Sequence, residues 1–258
     1  MKTAIRLLER FAPRLLWKRR ISTWNIDTGE SEASLLPWLC DRQKQSVDVG
    51  AADGAYVANM LLYSSAVVAF EPRPDAAMRL RSHFGNTKLV RVENAALSDR
   101  VGLSNMRIAE KATSSTIEPR NPVDAPLPAI EVSTNRLDNY GISPLGFIKI
   151  DVEGHELSVL EGAKETLKRE RPMVLIEAEE RHNPGSISAA IAFFFPLKFD
   201  GYFFLDGKLR PVREFDVTRH QSVSNLDADT HRIGTYINNF VFVPNEQLWR
   251  LASQIKVK

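Results

Sequence analysis

The stretch from Ser46 to Glu71, SVDVGAADGAYVANMLLYSSAVVAFE, restricts the fold more than any other part of the chain. Val47-Asp48-Val49-Gly50 reads as a short buried strand. A glycine-bearing turn follows, Gly50-Ala51-Ala52-Asp53-Gly54. Tyr56, Val57, Met60, Leu61 and Leu62 come next, close to helical spacing, and a second apolar run, Ala66 to Phe70, ends on Glu71. Strand, turn, helix, strand and acid is the plan of a nucleoside-binding half of a doubly wound α/β sheet. Glu71, at the carboxyl end of the second strand, can accept hydrogen bonds from both hydroxyls of a ribose.

The turn also selects among nucleoside ligands. A dinucleotide site calls for G-x-G-x-x-G, whereas only Gly50 and Gly54 are present here. Asp48 and Asp53 would repel a pyrophosphate. They suit a cation, and S-adenosylmethionine carries a sulfonium, an ammonium and a ribose. The D-x-G-x-x-x-G turn with its strand-end Glu resembles the first two motifs of class I methyltransferases. An ordinary strand–helix turn with another ligand, or none, is the plain alternative.

At 258 residues, with a net charge of +2, the chain has room for one α/β domain with additions and no strong pull toward nucleic acid. Its one cysteine, Cys40, excludes an internal disulfide and a cysteine-based zinc cluster; a reduced, packed thiol fits a cytoplasmic location. No apolar run reaches membrane-spanning length. Residues 1–20 hold seven basic residues and one acid, with Lys2, Arg6, Arg10, Arg14 and Lys18 in one stripe and Pro13 interrupting. A leader helix packed on the domain is the favoured reading. A basic amphipathic segment touching an anionic membrane surface, at the inner face of the membrane, is the sharper one. The chain divides into a helical leader, residues 1–45, and one domain, residues 46–258. Oligomeric state is not legible.

Further strands are expected at Leu89–Val92, Phe147–Ile150 and Pro172–Glu177, with helices at Pro72–Phe84, from just after Glu156 to about Arg169, and at Ile187–Phe195. Leu103–Ile108 alternates as an edge strand would, and Ile130–Ser133 reads as another short strand. The irregular stretch between them is long enough to be functional. Residues 199–243 alternate like antiparallel edge strands.

In such a sheet the ligand sits outside the carboxyl ends of the strands. Polar residues collect there: Asp48, Glu71, Asn94, Asp151 to Glu156, and Glu177 to His182. Asn94 can read an adenine edge or cap the following turn. Asp151, Glu153, His155 and Glu156 fall at a strand-to-helix junction, where acids near the helix N-terminus also have a structural reason to occur. His155 titrates near neutrality and suits proton abstraction from a hydroxyl. Asp151, Glu177, Glu179 and His182 could approach a metal, but scattered acids more often form salt bridges, so no metal is expected.

DVGAADG, AFEPRP, ENAALSD, RLDNYG, FIKIDVEGHELSVLEGA and RPMVLIE, in that order from about Ser46 to Glu177, resemble the FkbM family of S-adenosylmethionine-dependent methyltransferases. The KIDVEGHE string is the specific part. The first motif reads GAADG where many relatives carry an Asn. The resemblance implies a class I methyltransferase (Rossmann-like) fold, a mostly parallel seven-stranded sheet with an antiparallel last strand. It implies O-methyl transfer to a sugar hydroxyl of a polysaccharide, glycolipid or natural product. It also implies a cofactor site of Asp48, Gly50, Ala51, Asp53, Gly54, Glu71, Pro72, Asn94, Ala95 and Asp151, with His155 as base and Asp151 and Glu153 beside the transferring methyl. Two rivals stand against it: a non-catalytic binding protein on the same fold, and a nicotinamide-dependent oxidoreductase.

Overall fold

The computed structural model describes residues 31–85, 87–108, 115–119, 128–227 and 232–255. The basic leader, residues 1–20, lies outside the described residues. The strands are β1 (Gln45–Val49), β2 (Val67–Phe70), β3 (Val90–Glu93), β4 (Ala96–Leu97), β5 (Gly102–Arg107), β6 (Ala129–Asn135), β7 (Leu145–Ile150), β8 (Met173–Glu177), β9 (Phe199–Leu205), β10 (Lys208–Pro211) and β11 (Asn239–Pro244). The helices used below are α1 (Leu36–Leu39), α2 (Ala55–Met60), α3 (Pro74–Phe84), α4 (Glu156–Gly162), α5 (Lys164–Glu170) and α6 (Ser186–Phe194).

The main sheet runs β10-β9-β11-β8-β7-β1-β2-β3. β1 pairs in parallel with β2 and β7, β2 with β3, and β7 with β8, while β11 runs antiparallel to both β8 and β9. This is the class I methyltransferase order with its antiparallel last strand. The chain leaves β1 toward β2 and β3 on one side and returns to β7 and β8 on the other, so the order reverses at β1 and opens a crevice there.

The strand count differs from the seven expected. The eighth, β10, is a hairpin partner of β9 in which Lys208 pairs with Leu205. The two-residue connection is Asp206-Gly207, with φ of 53° and 72°, the conformation that Asp-Gly favours in tight hairpins. Leu103–Ile108 forms an edge strand, as expected, but not of the main sheet. β5 belongs to a separate three-stranded sheet, β4-β6-β5, that sits over the crevice. The helix expected to run to Arg169 is two helices, α4 and α5, meeting at Ala163.

Strand alternation divides the core between the two faces. Val47, Val49, Ile148, Ile150, Val174 and Ile176 face one way, against α4 and α6. Val67, Ala69, Phe147, Met173 and Leu175 face the other, against α1, α2 and α3. Leu35, Leu36 and Leu39 are buried in this second cluster, so the segment before β1 closes that face. Cys40 packs there too, and burial pushes its thiol up to about 11.

Candidate functional site

A cavity opens at the carboxyl ends of β1, β2 and β7, roofed by the small sheet and the Ser115–Ile117 segment. Of the residues expected there, Gly50, Glu71, Pro72, Ala95, Asp151, Glu153 and His155 line it. No Lys or Arg does so among the described residues.

The β1–β2 side is built by backbone. Gly50 has φ of +82°, and a Cβ there would lie 1.9 Å from the Asp151 carbonyl oxygen. Only a glycine lets the ends of β1 and β7 approach this closely. Glu71 is buried, and each carboxylate oxygen accepts a backbone N–H, from Ala52 at 2.8 Å and from Arg73 at 2.9 Å. Burial raises its pKa, against the two backbone donors. The carboxylate is thereby fixed at the cavity wall with lone pairs left over. Ala52, in a left-handed conformation at φ 45°, is a lining residue that the sequence reading passed over.

Five other expected cofactor residues stand behind this wall. Asn94 donates from Nδ2 to the carbonyls of Glu71 and Pro72, both at 2.9 Å. These bonds brace the connection after β2 rather than cap the turn that follows Asn94. Gly54 has φ of +88°, and its missing side chain makes room for Leu80 and Phe84 of α3. Asp53 accepts from the Ala55 N–H at the start of α2, and Ala51 is buried in the core. Asp48 pairs in register with Lys149. Both of its buried carboxylate oxygens lack a protein hydrogen bond, and burial lifts its pKa to about 7.

The β7 side is built from paired side chains. Lys149 Nζ donates to Asp151 Oδ2 at 2.8 Å and sits over the Tyr56 ring, 4.4 Å from its centroid. His155 is clasped at both nitrogens: Nδ1 lies 3.2 Å from Glu118 Oε2 and Nε2 lies 2.9 Å from Ser98 Oγ. Burial lowers its pKa, against the Glu118 carboxylate, so the ring is neutral at neutral pH. Glu156 turns inward, accepts from the Gly154 N–H at 2.8 Å, and is raised to about 7 by burial.

Of the residues considered for a metal, Asp151 pairs with Lys149, Glu179 with Arg181 and the Tyr236 hydroxyl, and His182 with Glu153. Among the described residues no three His, Cys, Asp or Glu side chains converge on a metal-binding point. No described helix is long and apolar enough to cross a membrane. Sequence reasoning also missed Ser115 and Ile117 as lining residues, although it marked the length of their loop as a functional sign.

Residues 48–204 match the family model described as Methyltransferase FkbM domain. The chain is 30% identical over 147 residues to the 2-O-methyltransferase NoeI of Sinorhizobium fredii (strain NBRC 101917 / NGR234), an alignment covering 48% of this chain and 59% of that protein. It thus spans less than two thirds of that relative's length. Among solved structures, Methyltransferase FkbM from Methylobacillus flagellatus KT superposes with a TM-score of 0.51 at 17% identity, over 78% of this chain and 44% of that one. The family model takes in well over half of the sequence, and the chain belongs to the FkbM methyltransferase family.

Proposed function

We propose that this protein is an S-adenosylmethionine-dependent O-methyltransferase acting on a hydroxyl of a sugar or glycan. The observation that carries the reading is Glu71, fixed by two backbone N–H groups at the wall of a cavity it shares with Asp151 and Glu153. Three carboxylates and no Lys or Arg among the described lining residues suit a cationic ligand and oppose a pyrophosphate, which disfavours a nicotinamide dinucleotide. Above about pH 7 the buried Asp48 carboxylate behind the turn adds to the same negative field.

S-adenosylmethionine supplies an electrophilic methyl group when bound. Glu71 would hold the ribose diol, and the apolar wall of Leu97, Met106 and Ile117 suits a purine ring. Asp151, steadied by Lys149, would face the cationic end. Holding acceptor and donor in line supplies much of the rate, because it removes the entropy of bringing them together. An oxygen acceptor accords with the printed name of the relative, a 2-O-methyltransferase. A sugar acceptor rests on the family resemblance. The buried Cys40, held as a thiol, suits a reducing compartment such as the cytoplasm.

The test is to incubate the protein with methyl-labelled S-adenosylmethionine and a panel of glycans, and to follow label by mass spectrometry. Label on a sugar hydroxyl is expected. Tight cofactor binding with no label on any hydroxyl would instead favour the non-catalytic rival.

A further inference from the structure

The Glu153-Gly154 peptide is held in an unusual way. Glu153 has φ of +54° and Gly154 +103°. A left-handed Glu is uncommon, costs on the order of 1 kcal/mol or more, and persists only when its surroundings enforce it. Here three side chains do so. Thr116 Oγ1 donates to the Glu153 carbonyl at 2.8 Å, Asn183 Nδ2 donates to the Gly154 carbonyl at 2.9 Å, and Glu156 accepts the Gly154 N–H. A Cβ at Gly154 would stand 3.3 Å from Glu118 Cγ and 3.4 Å from the His182 carbonyl. The result is that Glu153 is held at the cavity wall.

His182, from the turn after β8, meets that carboxylate, with Nδ1 3.0 Å from Glu153 Oε2. Both side chains are largely buried, at 13% and 18% exposure. The alternatives on this wall are committed elsewhere. His155 has both ring nitrogens engaged, by Glu118 and by the buried Ser98. Asp151 is tied to the buried Lys149.

We propose that Glu153 is the general base for the acceptor hydroxyl and that His182 is its positioning residue. His155 is then the clip that joins the segment after β4 to the roof. In the step, the acceptor O–H bond breaks and its proton passes to the Glu153 carboxylate. The acceptor oxygen bonds to the methyl carbon, and the pair from the broken carbon–sulfur bond stays on sulfur. This rests on the methyltransferase reading and assigns its proton acceptor.

The electrostatics agree with the geometry. Burial raises the pKa of Glu153, and the His182 hydrogen bond opposes it, with the Asp151 and Glu179 charges adding to the rise. Glu156 also bears on it from within the same turn. Burial alone would depress His182, but the hydrogen bond and charge of Glu153, with Glu179 behind, lift it above its ordinary value against the nearby Arg181. The base must be ionised to act, so the rate falls as pH drops through the Glu153 pKa. Removing His182 takes away the partner that lowers that pKa, and the acid limb moves up.

The experiment measures pH–rate profiles with methyl hexopyranosides as acceptors, alongside calorimetric binding of S-adenosylhomocysteine. Glu153→Gln should lower kcat by roughly 10²–10⁴-fold with product affinity within a few-fold of the parent. His182→Ala should shift the acid limb to higher pH, and His182→Asn, which keeps a donor, should shift it less. In Glu153→Gln, the His182 imidazole followed by NMR should titrate at lower pH than in the parent, a change that needs no acceptor. Retained product binding shows in each variant that the fold survives. Wild-type turnover in Glu153→Gln, or an unmoved acid limb in His182→Ala, would overturn the assignment. A parent protein that binds no S-adenosylhomocysteine would overturn the methyltransferase reading itself, a separate failure.

Discussion

The two walls of the cavity are made differently. On the β1–β2 side the carboxylate that matters, Glu71, is set by backbone N–H groups and by a glycine that lets two strand ends touch. On the β7–β8 side the acids are set by side chains that themselves carry or take protons: Asp151 by Lys149, Glu153 by His182, Glu118 by His155. Backbone donors do not titrate, so the clamp on Glu71 does not depend on the protonation state of a partner. The second wall changes charge with pH, which suits one that must accept a proton. On the roles proposed for Glu71 and Glu153, the contrast makes binding and proton transfer separable in this site.

Substitutions can break or sharpen that contrast. The largest effect is expected at Gly50. Gly50→Ala combines a strained φ with a Cβ 1.9 Å from the Asp151 carbonyl oxygen and should cost roughly 3–5 kcal/mol of stability. Gly141→Ala is the matched control, with φ of +58° and nothing within 4 Å of its Cβ. It should lose only about 1 kcal/mol. Denaturant unfolding of both compares them, and equal losses would mean that close strand contact does not shape the first wall.

Asp48→Asn comes next. An acid whose folded pKa, about 7, lies above its ordinary 3.8 costs nothing below the lower value. The cost grows through that window and is complete above the higher one. Removing the charge should therefore stabilise the protein relative to the parent increasingly from pH 5 to pH 8, by about 2 kcal/mol over that range. Urea midpoints at the two pH values test it, and a pH-independent difference would show that Asp48 does not titrate within the window.

Asn94→Ala removes two hydrogen bonds that brace the backbone of Glu71 and Pro72. It should cost about 1–2 kcal/mol of stability and weaken S-adenosylhomocysteine binding several-fold without moving the pH–rate profile. A moved profile would join the two walls. The smallest effect belongs to exposed Asp53, which accepts the Ala55 N–H at the start of α2. Asp53→Ala should stay within about 0.5 kcal/mol and leave binding nearly unchanged by calorimetry.

What could be read in the sequence follows the same division. β1, β2, β7 and β8 are apolar runs ended by polar residues, and Glu71 reaches the cavity because it directly follows one. Local pattern was enough there. It misled at Gly54, which looks like a ligand-loop glycine and instead admits Leu80 and Phe84. It left Asn94 open, because one amide can read a base or brace a turn. β10 is short and polar, and the Asp206-Gly207 turn that signals its hairpin went unread. The second wall was legible only as a cluster of acids and a histidine. The partners of His155 are 57 and 37 residues away, and His182 reaches Glu153 from another loop. Such pairings depend on the sheet order that brings β7, β8 and the small sheet together, and no spacing rule encodes them.

The most direct measurement of the central claim is a calorimetric titration of S-adenosylhomocysteine into the parent protein and into Glu71→Ala, with NAD as the competing ligand. The account predicts a single-site isotherm for the parent, no binding of NAD, and a loss on the order of 1–3 kcal/mol in the folded variant. Equal affinity in Glu71→Ala, or a parent protein that prefers NAD, would contradict it.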